Sequence, residues 1–216
     1  MDILNETPLK YQYMVKTKQT DEIIPNFKKK LEEDNKKYEY QEDDIQVYDK
    51  KINETIIKNI YHFCMNKEIS WNQHNSNSEN SMCFFKCDVY DNLYFHTLFH
   101  NVIIPNINYK NRDKLKICRA YINLHLPGCP GDWHYDNPGL GPTILLYIHV
   151  KWNTRWEGQT AFYINLKKKE IKYVDFVPGR IVLFEPNIMH RACDLSNYAN
   201  MECVCRYTLA FHTYFE

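Results

Sequence analysis

The sequence predicts a mainly β protein in which helices come first and an antiparallel sandwich or barrel follows. Three observations carry that expectation. All six glycines fall between Gly128 and Gly179, and six of the nine prolines fall between Pro127 and Pro186, so sharp connections crowd into the second half. Several segments there alternate apolar and polar residues with the period of a strand. Ahead of them, the stretch from Asp49 spaces Ile52, Ile56, Ile57, Ile60 and Phe63 as the apolar stripe of a helix. A chain of 216 residues, 44% hydrophobic, suffices for one domain with a packed core.

In chain order, residues 1–48 read as a charged extension or edge. Of the first 50 residues 21 are charged, with both signs mixed, which argues against a simple polyanion-binding tail. Asp49 is placed to cap the first helix. Ile69–Trp71 is expected as a short strand and residues 72–80, NQHNSNSEN, as a polar surface loop. A second helix is expected from Asn92 to about Ile103, ended by Pro105. Residues 49–110 thus form a helical support region with a covering loop, and residues 111–216 the β core of one integrated domain. The candidate strands are Ile117–Leu126, Thr143–Val150, Ala161–Leu166, Lys172–Phe176, Arg180–Phe184 and Arg206–Phe215.

The alternation in these strands separates an apolar face from a mixed one. The mixed faces are Arg119/Tyr121/Asn123/His125, Thr143/Leu145/Tyr147/His149 and Arg206/Thr208/Ala210/His212. Period alone allows either a wet surface or one shared cavity.

Composition removes some functions. Lys+Arg 27 against Asp+Glu 27 disfavours a protein that holds nucleic acid chiefly by neutralising phosphates. No apolar run approaches the ~20 residues of a membrane span, and the N-terminal residues lack a secretory pattern, so an intracellular location is expected. In such a compartment the eight cysteines are expected to stay reduced.

The sharpest local feature is GDWHYDNPG, Gly131 to Gly139. His134 and Asp136 lie two apart, so on extended chain they leave from the same face. An imidazole and a carboxylate at one edge are two thirds of the two-histidine, one-carboxylate triad of non-haem iron(II) sites. His190, after the apolar run Ile181–Phe184, is the candidate third ligand. His96 and His100, four apart on the second helix, lack a third partner and read as ordinary helix-face residues. His125, His149 and His212 read as substrate-facing or supporting groups. A triad leaves iron positions open for a bidentate 2-oxo acid and dioxygen. Arg206 is the candidate cation for a distal carboxylate, because its planar fork matches one.

From about Lys116 to Phe215 the chain resembles iron(II)/2-oxoglutarate-dependent dioxygenases of the prolyl 4-hydroxylase-like group. The resembling stretches are LPGCPGDWHYDNPG, TILLYIHVKWNTRWEGQTAFY, VPGRIVLFEPNIMHRA and RYTLAFHTYF. The resemblance implies a double-stranded β-helix, a jelly-roll or cupin-like core braced by N-terminal helices. It implies Fe(II) held by His134, Asp136 and His190, with 2-oxoglutarate and O2 as co-substrates. Arg206 and Tyr147 would hold the distal carboxylate, with Thr143 and Thr208 lining the pocket. The oxygen-sensing members have a tyrosine where this chain has Leu126, and Tyr121 or Asn123 could supply a polar group instead. The implied reaction hydroxylates a C–H bond with release of succinate and carbon dioxide, first of all on prolyl residues of a protein or peptide. A free amino acid or other small molecule is the alternative substrate. Demethylation of a nucleic-acid base is disfavoured by the zero net charge, and a non-catalytic cupin-like module by the intact polar set.

Overall fold

A computed structural model describes residues 44–66, 70–75, 83–136, 141–166 and 168–216. Its elements run β1 (Ile45–Tyr48), α1 (Glu54–Cys64), β2 (Asn72–Asn75), β3 (Cys83–Asp88), α2 (Leu93–Leu98), a π-helical turn over Phe99–Ile103, α3 (Ile104–Asn106), β4 (Leu115–His125), β5 (Thr143–Ile148), β6 (Thr160–Asn165), β7 (Glu170–Val174), β8 (Ile181–Phe184), β9 (His190–Ala192), α4 (Asn197–Met201) and β10 (Arg206–Phe215). Among the described residues these strands form an antiparallel sheet of seven, ordered β1-β8-β5-β10-β4-β3-β2, and a second of three, ordered β7-β6-β9. The two sheets sandwich Tyr147, Phe162, Phe176, Phe184 and Ala210 in one apolar cluster. This is the jelly-roll core.

The larger sheet is covered on both sides, which explains the composition of its central strands. Every residue of β5 is buried, as are Arg206 to Thr213 of β10. On the outer face Ile122, Ile144, Leu146, Leu209 and Phe211 pack against Ile57 and Ile60 of α1 and against Phe95, Phe99 and Ile103. On the inner face the opposite alternate residues meet the smaller sheet. α1 forms because Ile57, Ile60 and Cys64 fall on one stripe and Asn53 caps it, accepting the Thr55 N–H at 2.8 Å.

Several expectations are corrected. Asp49 does not cap α1; it takes a two-pronged ion pair from Arg180 at 2.7 and 2.8 Å, tying β1 to the start of β8. The described helices do not precede the strands, since β1, β2 and β3 interleave with them. Asn72–Asn75 is a strand, not a loop, paired with β3 from Asn72↔Lys86 to Asn75↔Cys83. A polar edge strand carries no apolar alternation, and its partner's backbone defines it. The expected strand at Ile69–Trp71 and the remainder of the loop lie partly or wholly outside the described residues, as does most of the charged extension.

Pro105 does not end the second helix. The Phe99–Ile103 turn widens the ladder, so that the Ile104 N–H reaches the Phe99 carbonyl, and the chain absorbs a proline in the next turn. Finally, β10 and β4 slip register between His212 and Thr213. This bulge puts Leu115 and Ile117 with Ala120 and Ile122 on the helix side, and Cys118 leaves the apolar set to donate to the His212 carbonyl at 3.2 Å. Among the described residues no disulfide joins Cys64, Cys87, Cys118, Cys129, Cys193, Cys203 or Cys205. No described helix is long and apolar enough to cross a membrane.

Ile60 is fully buried where α1 meets the larger sheet. Ile60→Ala should cost about 2–5 kcal/mol in urea unfolding, the range for an aliphatic deletion in a core that cannot fully collapse. A loss under 1 kcal/mol would mean that α1 is not part of the cooperative unit.

Candidate metal centre and its cavity

The inner face of the larger sheet gathers the mixed strand faces into one surface. Cross-strand pairs place Arg206 beside His125, Thr208 between Asn123 and Tyr147, Ala210 between Tyr121 and Leu145, and His212 between Arg119 and Thr143. Paired residues of antiparallel strands share a face, so these side chains line the space toward the smaller sheet. The alternation that period alone left open is therefore a wall that faces the smaller sheet, not solvent.

His134, Asp136 and His190 meet at one end. One potential ligand atom from each lies within 4.8 Å of the others. His134 and His190 are locked together by reciprocal backbone hydrogen bonds of 3.0 Å, an isolated bridge that extends the smaller sheet. Asp136 approaches from the other side, where Thr143 of β5 donates to its Oδ2 at 2.6 Å. His134 Nε2 lies 3.8 Å from Asp136 Oδ1, and His190 Nε2 lies 3.6 Å from Oδ2. In both histidines Nδ1 is engaged by a backbone carbonyl, that of Asp132 at 2.7 Å and that of Ile188 at 3.0 Å. Each carbonyl fixes the proton on Nδ1 and turns the Nε2 lone pair toward the carboxylate, as metal-binding histidines require.

The charges agree with that role. Burial pushes the His190 imidazole down to about 4, against the pull of Asp136, so it is neutral at pH 7. Burial opposes ionisation of Asp136, but His212, His190, His134 and the Thr143 hydrogen bond hold its carboxyl below the ordinary value. Two imidazoles and one carboxylate are a donor set for a divalent transition metal with open positions. The His134 side chain is 49% exposed while that of Asp136 is 6% exposed, so the cluster opens to solvent on the His134 side.

Arg206 closes the opposite end. It is 2% exposed, and among the described residues no carboxylate pairs with it. Its Nε donates to the Gly158 carbonyl at 2.9 Å and an Nη to Thr160 Oγ1 at 2.9 Å. Thr160 is also 2.6 Å from the Tyr147 hydroxyl, and Tyr147 stacks on Phe176 with ring centroids 4.6 Å apart. Gly158 is required here: its φ is +77°, and a Cβ would stand 2.8 Å from Leu195 and 3.4 Å from Arg206 itself. Between Arg206 and the metal ligands, Thr208 Oγ1 and Asn123 Oδ1 are buried polar atoms without a hydrogen-bond partner among the described residues. A buried cation followed by unpartnered polar atoms fits a missing polar ligand.

Solved structures share this architecture. A prolyl 4-hydroxylase of Pseudomonas putida covers 80% of this chain and 92% of its own at TM-score 0.59 and 14% identity. A prolyl hydroxylase from Trichoplax adhaerens, solved with a hypoxia inducible factor oxygen degradation domain peptide fragment, covers 79% and 83% at 0.60 and 12%. A non-heme α-ketoglutarate-dependent carbocyclase of nogalamycin biosynthesis covers 79% of each at 0.60 and 12%. The chain has the fold of the 2-oxoglutarate/iron(II) oxygenases. No known family's sequence pattern matches it, and no curated protein does.

Within this oxygenase fold the sequence-predicted residues separate into three groups. His134, Asp136 and His190 converge, and so do Arg206 and Tyr147. Thr208 and Asn123 lie between them. Thr143 does not sit beside Tyr147 but holds Asp136, and Tyr121 is hydrogen-bonded at 2.6 Å to His212 Nε2. One participant escaped the sequence reading. Thr160 links Arg206 to Tyr147, and its signal was the EGQT turn within the resembling stretch before β6. His212, expected as a supporting or substrate-facing group, is buried with Nε2 3.7 Å from Asp136 Oδ1. His149 stands outside the cavity among Tyr61, Trp152 and Trp156.

Thr143→Val keeps the shape but removes the donor to Asp136, so metal affinity should fall about 10–100-fold, the usual cost of losing an outer hydrogen bond to a ligand. Unchanged affinity in a metal titration would exclude Thr143 from that role. A second expectation concerns acid. Burial, aided by Arg206 and His134, pushes His125 down to about 3, so it stays neutral in the folded protein while its unfolded counterpart protonates below about 6.5. The unfolded state then binds more protons, and stability falls as pH drops from about 6.5 toward 3. In metal-free protein His125→Gln should flatten this slope by up to one proton, about 1.4 kcal/mol per pH unit. An identical slope between pH 5 and 6.5 in urea unfolding would contradict it.

Proposed function

We propose that this protein is an iron(II)/2-oxoglutarate-dependent dioxygenase that hydroxylates a C–H bond, with a polypeptide as substrate and a prolyl residue as its first target. The observation that carries the reading is one sheet face with a His134–Asp136–His190 donor set at its exposed end and, at its buried end, an arginine that no carboxylate pairs with among the described residues. A 2-oxo dicarboxylate has the two ends that such a face needs. Its distal carboxylate would pair with the Arg206 guanidinium and the Tyr147–Thr160 hydroxyls, and its 2-oxo acid end would lie beside the ligand cluster. Thr208 and Asn123 would meet the polar atoms between. When bound, an iron(II) ion supplies the chemistry that couples 2-oxoglutarate and O2 to succinate, CO2 and one hydroxyl on the substrate.

The chain's own residues perform the positioning. The backbone bridge between His134 and His190 and the Thr143 hydrogen bond fix the donor directions before any metal arrives, so little reorganisation is left to be done. Phe162 and Phe184 pack against the His190 ring, with centroids 5.9 and 4.5 Å away, and keep water from that side. The open His134 side is where a substrate C–H would enter.

Peptide is favoured because the Trichoplax enzyme with the same fold was solved with a peptide fragment, and because the cluster opens to solvent at its rim. The carbocyclase of equal TM-score supports the second reading, a small-molecule substrate. Proline-containing peptides and free amino acids, incubated with iron(II), 2-oxoglutarate and air, decide between them by mass spectrometry. The proposal expects a peptide product heavier by one oxygen. Oxygen added only to a free amino acid or other metabolite would install the second reading.

Arg206→Ala should weaken 2-oxoglutarate binding by about 2–4 kcal/mol, as when a buried ionic partner is removed, and Tyr147→Phe by roughly 1–2 kcal/mol. Anaerobic calorimetry measures both. Wild-type affinity in Arg206→Ala would remove that residue from the co-substrate site.

A further inference from the structure

On the β3–β4 side of the inner face, beside Asn123 and His212, stands a second cationic feature that neither the metal nor the co-substrate reading uses. Lys86 of β3 and Arg119 of β4 share the Tyr121 ring, with Lys86 Nζ 4.3 Å and the Arg119 guanidinium carbon 5.3 Å from its centroid. The Tyr121 hydroxyl meets His212 Nε2 at 2.6 Å, and that nitrogen is 3.7 Å from Asp136. Arg119 is also the cross-strand neighbour of His212. Arg119 therefore stands one side chain removed from the ligand cluster and Lys86 two.

The arrangement is costly as it stands. Lys86 and Arg119 are both half-buried, and neither forms an ion pair among the described residues. Asp88, the acid that attracts Lys86, already accepts the Tyr90 N–H at 2.9 Å. Burial and the neighbouring Arg119 both disfavour the Lys86 charge. A pair of like charges held together on one ring, beside a cluster built for a cation, is stabilised when an anion arrives.

We infer that Lys86 and Arg119 bind a carboxylate of the substrate, an Asp or Glu side chain close to the oxidised residue of a polypeptide. The inference rests on the oxygenase reading above and narrows its substrate class. Arg206 already answers the distal carboxylate of the co-substrate, so this second cationic site is left for the substrate. Both cations are half-buried rather than enclosed, which leaves room for a chain to continue past them. A small acid would need a closed site.

The test uses the full chain loaded with manganese(II) and 2-oxoglutarate under argon. Capped hexapeptides with one fixed proline are titrated calorimetrically, an Asp scanned through the other five positions and each compared with its Asn twin. At least one Asp peptide should bind about tenfold or more tightly than its twin, with a preference that fades as salt rises. The preference should vanish in a Lys86→Gln/Arg119→Gln double variant and persist in Arg119→Lys, while 2-oxoglutarate affinity stays unchanged in both. Equal affinity across all five pairs overturns the inference, as does binding of free aspartate or glutamate without any peptide. Loss of 2-oxoglutarate binding in the double variant would reassign both cations to the co-substrate. A charge preference in a protein that binds neither metal nor 2-oxoglutarate would sink the oxygenase reading and leave the carboxylate site standing.

Discussion

An arginine keeps its proton at any physiological pH, and burying one without a carboxylate costs several kcal/mol. Arg206 is in that position, held by a backbone carbonyl, a threonine and the flank of two aromatic rings. Much of the surrounding structure serves to hold it there. Gly158 adopts a left-handed conformation so that its carbonyl can reach the guanidinium, Thr160 begins β6 where its hydroxyl can join Arg206 to Tyr147, and Phe176 stacks under that tyrosine. Hydrogen bonds to neutral groups orient the charge without neutralising it. The remaining imbalance is what an anionic ligand would correct, and Thr208 and Asn123 supply unpartnered polar atoms along the way.

The metal-ligand end depends on the meeting of two sheets. His190 opens β9 in the smaller sheet, and its backbone pairing with His134 brings in the HxD segment. Asp136 is then held from the larger sheet by Thr143. Apolar packing between the sheets, through Phe162, Phe184 and Tyr147, therefore sets the separation of the donors. The same inner face carries Arg206 at one end and, along its β3–β4 side, Lys86 beside Asn123 and Arg119 beside His212, so one sheet surface holds three charged features.

The sequence made some of this legible and hid the rest for physical reasons. His134 and Asp136 were readable because a two-residue spacing on extended chain fixes a shared face. Arg206, Thr208 and His212 were readable as one face by the same period. Thr160 and His212 could not be given their partners, because these come from strands distant in sequence and alternation says nothing of what lies opposite. Asn72–Asn75 was misread because an edge strand made of polar residues has no burial pattern. The bulge at His212 was invisible because one extra residue shifts the phase of β4 without changing its composition. Pro105 misled because a π-helical turn can absorb a proline that would end a regular helix.

A single 2-oxoglutarate that spans from the metal cluster to Arg206 can be detected by adding it to iron(II)-loaded protein without oxygen and following visible absorption. A 2-oxo acid chelated to iron(II) develops a charge-transfer band. This band should appear and saturate at one equivalent of 2-oxoglutarate per protein. A protein that binds iron(II) and 2-oxoglutarate without developing the band would contradict that span, because the two would then occupy separate sites.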